Sequence, residues 1–479
     1  MKKFDLLKVL GITLLVVVLI SWVVPAGAYS KGTFSSLGST VTIGLYDLFR
    51  LPVITIVTFI QYGLLILAIG GFYGVLNKTG VYSKIIDKIV SKVGKNKTKF
   101  LIATIILFAI LVSVVGLPTL MFVLVPFFVA VLLKLGYSKI TSFASTVGSI
   151  LIGQIGTTFG FTIWGFLKYI YGVEMTDLLF ARLILLVVVV VLFVMIIRKD
   201  TTKTIEKVKK SKKIEQVKEE VMIPLYEESS SKRGIAPLVI ISLLAFVILL
   251  VGSYNWYYAF DISFFGDLHE SIVDFEISGY PIFKNLLGNV SEIGFFSNYD
   301  LIVILLISAM IIGWVYSLKL NDIIDGLKNG FKVMLKPALY AMLSSVVFAA
   351  LLNMSNSYGA DFVYTIIKTF ISGSEQFSLS GTIGSGLVAG FAYNDFYTMV
   401  ANLSGAFGAY DSNMIPVIAF IFQTMYSIVM VIAPTSIFLL AGLSYLDIPY
   451  KEWVKYIWKF LLVVFGIVVV IAFILTTLV

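Results

Sequence analysis

Apolar residues run along this chain in blocks of membrane-spanning length, divided by short polar intervals. A helix needs about 20 apolar residues to cross the hydrocarbon core. Blocks that meet or approach this predict spans over residues 7–25, 53–76, 140–167, 180–197, 234–256, 301–317, 337–357, 414–445 and 456–477. Two intervals follow another pattern, apolar at helical spacing with lysines between. These are 77–99, where Val81, Ile85, Ile86, Ile89, Val90 and Val93 recur, and 319–336. Both are expected to lie on the membrane surface. The start of the chain, with Met1-Lys2-Lys3, the run Val9–Val24 and Ala26-Gly27-Ala28, resembles a signal peptide. Its run is long for a signal core and many spans follow, so the reading is an uncleaved first helix.

Two further blocks are apolar but do not read as ordinary spans. Phe100–Leu133 carries no charge, is bounded by Lys99 and Lys134, and breaks at Val115-Gly116-Leu117-Pro118-Thr119. At 34 residues it is short for two full crossings. It therefore predicts a re-entrant helical hairpin, with two short tilted spans as the alternative. Ser378–Gly408 holds six glycines and, mid-stretch, Asn394, Asp395, Tyr397 and Thr398. It predicts a second hairpin over 377–409. Two of the spans look broken. Residues 140–167 carry five glycines with Gln154, Thr157 and Thr158, and 414–445 contains Ile432-Ala433-Pro434-Thr435-Ser436. Close helix packing through small residues is the other reading of the first.

Charge supplies an orientation. Residues 77–99 carry seven lysines against Asp87, and 198–233 carry 11 basic against 7 acidic residues. Both belong in the cytoplasm, with the N-terminus. Residues 261–300 carry seven acids and Lys284 alone, so that loop lies outside a plasma (inner) membrane. The expected domains are a first membrane repeat at 1–197, a cytoplasmic linker at 198–233, an extra span with an acidic loop at 234–300, and a second repeat at 301–479. Each repeat has two spans, an amphipathic segment, a hairpin, a broken span and a closing span, in opposite orientation. The fold class is an all-α polytopic membrane protein, an inverted-repeat secondary transporter with two re-entrant hairpins and two broken helices.

Composition narrows the function. The 479 residues are 59% hydrophobic and 13% charged, with mean hydropathy +1.00 and net charge +9. Here the positive charge follows topology and does not imply nucleic acid. There is no cysteine, and His269 stands in the acidic loop without neighbouring ligand types. A metal site, a cofactor and a membrane enzyme therefore lack residues to build them. A channel would need a stripe of pore-lining polar groups, whereas polarity here gathers at the breaks. A broken helix presents N–H groups at one new end and C=O groups at the other, suited to a carboxylate and a cation respectively. The candidate binding residues are Gly116, Thr119, Gln154, Gly156, Thr157, Thr158, Asn394, Asp395, Thr398, Pro434, Thr435 and Ser436. An acid at the depth of Asp395 marks a pathway by default. It would bind a proton or sodium or pair with an amino group, or else cap the helix that follows.

These residues also carry a resemblance. Trp22-Val23-Val24-Pro25-Ala26-Gly27-Ala28-Tyr29, Leu135-Gly136-Tyr137, Ala433-Pro434-Thr435-Ser436 and Ile448-Pro449-Tyr450-Lys451-Glu452-Trp453 resemble motifs of the DcuC/YfcC-like carriers of the ion transporter superfamily. The similarity extends over nearly the whole chain. It departs where Ser138 replaces an acid, where Gly116-Leu117-Pro118-Thr119 lacks a pair of acids, where Gly156-Thr157-Thr158-Phe159 replaces Asn-Pro-Phe, and where Ala392-Tyr393-Asn394-Asp395 replaces a serine-glycine tip. The resemblance implies a carrier of carboxylates or amino acids, working by alternating access through exchange or a Na+ or H+ gradient, in a homodimer. A cation/proton exchanger is the alternative, and a channel a more distant one. Expected partners are the bilayer and a small-molecule substrate.

Overall fold

A computed structural model describes residues 5–30, 33–36, 42–210, 223–229, 231–352, 362–371, 377–394, 396, 399 and 412–479. The chain is a mostly helical, multi-pass membrane protein. Among the described residues, eight helices are long and apolar enough to cross a membrane. The expectation of a purely helical fold is corrected by two small antiparallel strand pairs. One joins β1 (Gly27–Ser30) to β2 (Thr33–Ser36), and the other joins β3 (Glu276–Ile277) to β4 (Tyr280–Pro281).

The chain opens with α1 (Asp5–Val23), then α2 (Asp47–Thr58) and α3 (Ile60–Lys78). The single span expected at 53–76 is thus part of a longer path that begins at Asp47 and is interrupted at Phe59. Next come α4 (Val81–Val93) and α5 (Lys97–Val115). A sharp turn leads to α6 (Pro118–Phe122) and α7 (Val125–Lys134), which folds back on α5 by seating Phe128 between Phe100 and Phe108. The glycine-rich stretch that follows is broken, as its composition predicts. Here α8 (Lys139–Phe143) and α9 (Ser149–Gly153) end at an irregular segment, and α10 (Phe166–Tyr171) resumes beyond a π-turn over 161–165. Then α11 (Leu179–Lys210) continues well past the expected span end at 197.

After the linker come α12 (Ala236–Ser253), α13 (Trp256–Phe260), α14 (Phe264–Val273) and α15 (Ile282–Leu287). Ser297 and Asp300 then form a capping box that starts α16 (Asn298–Val315). The next element corrects the boundary expected at 336. No separate surface segment exists there, because α17 (Leu320–Ser344) runs straight through Pro337 and yields to α18 (Val346–Leu351) only at Ser345. The chain ends with α19 (Phe362–Ile371), α20 (Leu379–Ala392), α21 (Ile415–Met430), α22 (Ile437–Leu446) and α23 (Tyr450–Leu478).

A seam of glycines sets the centre of the bundle. Helices α3 and α17 pack antiparallel with Gly70 against Gly330 and Gly74 against Gly326, two glycine pairs at four-residue spacing. Small residues at this spacing let backbones approach closely, which is how helices gain contact where lipid offers no hydrophobic drive. The apolar stripe expected in 77–99 is covered in part by protein. On α4, Val81, Tyr82, Ile85 and Ile86 are buried in protein, and Lys84 and Lys88 face outward.

The end of the linker is strapped across this region. Asn77 donates to Leu225 O (3.0 Å) and accepts from Glu227 N (3.2 Å), while Ser83 donates to Ser229 O (2.6 Å). From the other side, Tyr445 of α22 donates to Pro224 O (3.1 Å), and Lys134 at the foot of α7 binds Asp87 and Tyr226.

Candidate functional site

Three of the breaks read from composition are drawn together. Gly116 ends α5 in the left-handed region (φ 72°), the conformation a helix C-terminus commonly takes through glycine. A Cβ there would also lie 2.6 Å from the Cα of Gly160, so glycine is required twice over. Thr162 closes the contact by donating its hydroxyl to Gly116 O. Thr119 stands half-buried just beyond, on α6, and Phe122 of the same helix meets Phe438 of α22. The tip of the first hairpin therefore touches both the first broken helix and the start of α22.

The carbonyl groups of the first break are almost all occupied. Gln423 of α21 donates its amide to Gln154 O and Ile155 O (3.3 Å to the latter), which cross-links the two broken helices. Thr157 donates to Gln154 O (2.8 Å) and Ser113 to Gly156 O (2.7 Å). Arg182 donates to Thr158 O (2.6 Å), and Tyr254 to Phe159 O (2.7 Å). Thr158 is held further, since its N–H reaches Ser113 O (3.0 Å) and its hydroxyl lies 3.1 Å from Ser113 Oγ.

The second break shows the same economy at its carbonyl end. Where α21 stops, Trp453 donates its indole N–H to Val431 O (2.8 Å), and Tyr450 its hydroxyl to Ile432 O. This accounts for the Tyr450 and Trp453 pattern of the tail in physical terms, because both side chains cap the end of α21 from the first turn of α23. The amino end beyond Pro434 is different. Ser436 occupies the cap position of α22 without a side-chain bond to its first turn, and the hydroxyls of Thr435 and Ser436 are buried with no partner. Buried hydroxyls left unpaired cost free energy.

Just past the end of α20, Asn394 donates to Ser345 Oγ (2.7 Å) at the joint between α17 and α18, leaving its own Oδ1 buried and unpaired. Ser385 Oγ on α20 and Gln423 Oε1 are likewise unpaired. Helix α20 lies along α21, where Gly386 leaves room for Met425 and Gly390 for Val429. Asp395 and Thr398 lie outside the described residues. Among those described, no group of three or more His, Cys, Asp or Glu side chains is placed to hold a metal ion.

Of the expected residues, then, Gly116, Thr119, Gln154, Gly156, Thr157 and Thr158 gather at the first break, Pro434, Thr435 and Ser436 at the second, and Asn394 against Ser345 between α17 and α18. At both breaks, carbonyls that the sequence reading offers to a cation accept hydrogen bonds from protein donors. Of the donors at the first break, Ser113, Arg182, Tyr254 and Gln423 were not singled out from sequence. Their one legible signal is that Arg182 and Gln423 are strongly polar side chains set inside apolar runs.

The comparisons with known proteins follow the same direction. A model of the DcuC family, the C4-dicarboxylate anaerobic carriers, matches residues 4–478. No curated protein matches. Among solved structures, the YdaH transporter of Alcanivorax borkumensis is 12% identical with a TM-score of 0.36, covering 97% of each chain. MtrF of Neisseria gonorrhoeae, described with a class of antimetabolite efflux pumps, is 10% identical with a TM-score of 0.39, covering 98% of this chain and 94% of its own. Superpositions this loose add nothing to the geometry above.

Proposed function

This chain belongs to the DcuC family of C4-dicarboxylate anaerobic carriers, and from that premise we propose that it is a secondary carrier of small organic dianions of the C4-dicarboxylate kind. The reading takes the two halves as inverted repeats that expose the site alternately to either side, driven by exchange or by a Na+ or H+ gradient. Positive charge at 77–99 and 198–233 and negative charge at 261–300 support a cytoplasmic N-terminus.

One observation carries the choice of an anion. Carbonyls at both breaks are taken by Gln423, Ser113, Arg182, Tyr254, Trp453 and Tyr450, whereas the amino end of α22 keeps the unpaired hydroxyls of Thr435 and Ser436. The dipole and free N–H groups of a helix start favour negative charge. A cation exchanger would need the opposite arrangement, open carbonyls or carboxylates, and its case rests on Asp395 alone.

The test is uptake into proteoliposomes of labelled C4 dicarboxylates, monocarboxylates and neutral amino acids, with and without sodium and proton gradients. Saturable uptake or exchange of the dicarboxylates is expected. In the Thr435→Ala/Ser436→Ala double variant, KM should rise about tenfold or more, since a hydrogen bond to a charged group contributes about 1.5–3 kcal/mol. Cation-for-proton exchange without dicarboxylate flux would sink the proposal.

A further inference from the structure

We infer that Arg182 determines the charge selectivity of the carrier, holding the first break in position and placing a fixed positive charge behind the binding site. The inference rests on the reading of the cargo as a dianion. Arg182 is the one charged side chain among the described residues that is fully enclosed, at 0% exposure. Its Nη1 donates to Thr158 O (2.6 Å) and its Nη2 to Met175 O, while the guanidinium lies over the ring of Trp164 at 3.7 Å from the centroid. Its Nε is buried without a partner. Among the described residues no carboxylate stands within ion-pair distance, although Asp177, in the loop before α11, acts on it from farther off.

Capping alone does not explain a charge in this place. The second break is capped by neutral Trp453 and Tyr450, and the other carbonyls of the first break by neutral Ser113, Tyr254 and Gln423. A buried cation whose acidic neighbour Asp177 stands beyond ion-pair distance is costly, and a neutral donor would spare that cost at Thr158. On this inference the closer countercharge is the cargo's. The route from Arg182 to the site is short and stiff, through Thr158 to Ser113, with Gly160 against Gly116 alongside. Arg182 thus acts through the break as a positioning residue and through space as a charge.

The full chain in proteoliposomes tests this with two probes of equal size, succinate as the dianion and its half-amide as the monoanion. A second unit charge on the cargo, acting on a buried guanidinium at an effective dielectric of about 20, corresponds to a preference on the order of tenfold. Arg182→Gln should lower the dianion-to-monoanion ratio of kcat/KM by about that factor, and Arg182→Lys should keep it within about twofold of the parent. Equal losses for both probes in Arg182→Gln would reduce Arg182 to a cap and overturn the inference. If Arg182→Gln does not fold, Arg182→Lys decides: a retained ratio supports the charge, and a collapsed ratio with the charge still present refutes it. Absence of succinate flux in the parent would instead strike at the proposed function.

Discussion

The seam between α3 and α17 permits a quantitative test of the fold. A Cβ added at Gly74 would lie 2.0 Å from Gly326 O, and one at Gly330 would lie 1.9 Å from Gly70 O. Ordinary contact begins at 3.4 Å, so at Gly74 the helices would have to part by about 1.4 Å. The obstruction is backbone on a facing helix, which cannot rotate aside as a side chain can. Overpacking costs about 1–3 kcal/mol, and a position this rigid belongs at the upper end. Replacing a helical glycine returns up to about 1 kcal/mol of propensity. Gly74→Ala should therefore destabilise by about 2 kcal/mol net, and Gly330→Ala by a similar amount. The two sites share one contact region, so their costs should not simply add. Reversible unfolding in mixed detergent–SDS micelles reads this directly. Gly11→Ala and Gly466→Ala are the controls, because nothing lies within 4 Å of either added Cβ. Both should be neutral or slightly stabilising. A Gly74→Ala protein as stable as its parent would mean that α3 and α17 do not meet as described.

Two other predictions address the caps and the strap. Trp453→Phe keeps an aromatic ring but removes the N–H that serves Val431 O, which should cost about 1–3 kcal/mol in unfolding and slow uptake. Unchanged stability and flux would dismiss the cap. Lys134→Met removes the bonds to Asp87 and Tyr226, and trypsin cleavage after Lys232 or Arg233 in the native protein should accelerate about threefold, as suits a partly exposed pair contributing below about 1 kcal/mol. Cleavage at the parent rate would show that the strap is held by its other bonds.

The breaks were legible because they are written locally. Gly116-Leu117-Pro118, the glycines around Gln154–Thr158 and Ile432–Ser436 all weaken a helix within a few residues of where it stops. What fills those breaks was not legible, since each partner comes from far along the chain: Tyr254 to Phe159, Gln423 to Gln154, Trp453 to Val431. Without those partners the carbonyl ends read as open. What covers the stripe in 77–99 was hidden for a related reason. An apolar stripe on a helix shows that something covers it, and Ile85 and Ile86 are covered by protein where lipid was expected. The division expected between 336 and 337 is absent, for α17 runs through Pro337 without ending.

The strap from Pro224 to Ser229 has a mechanical consequence. It bonds on one side to Asn77 and Ser83, which belong to α3 and α4, and on the other to Lys134 and Tyr445, which belong to α7 and α22. The strap thus ties together four helices, α3, α4 and α7 from early in the chain and α22 from near its end. Each fastening contributes only about 0.5–1.5 kcal/mol, so the load is shared among several weak bonds and rests on no single strong one.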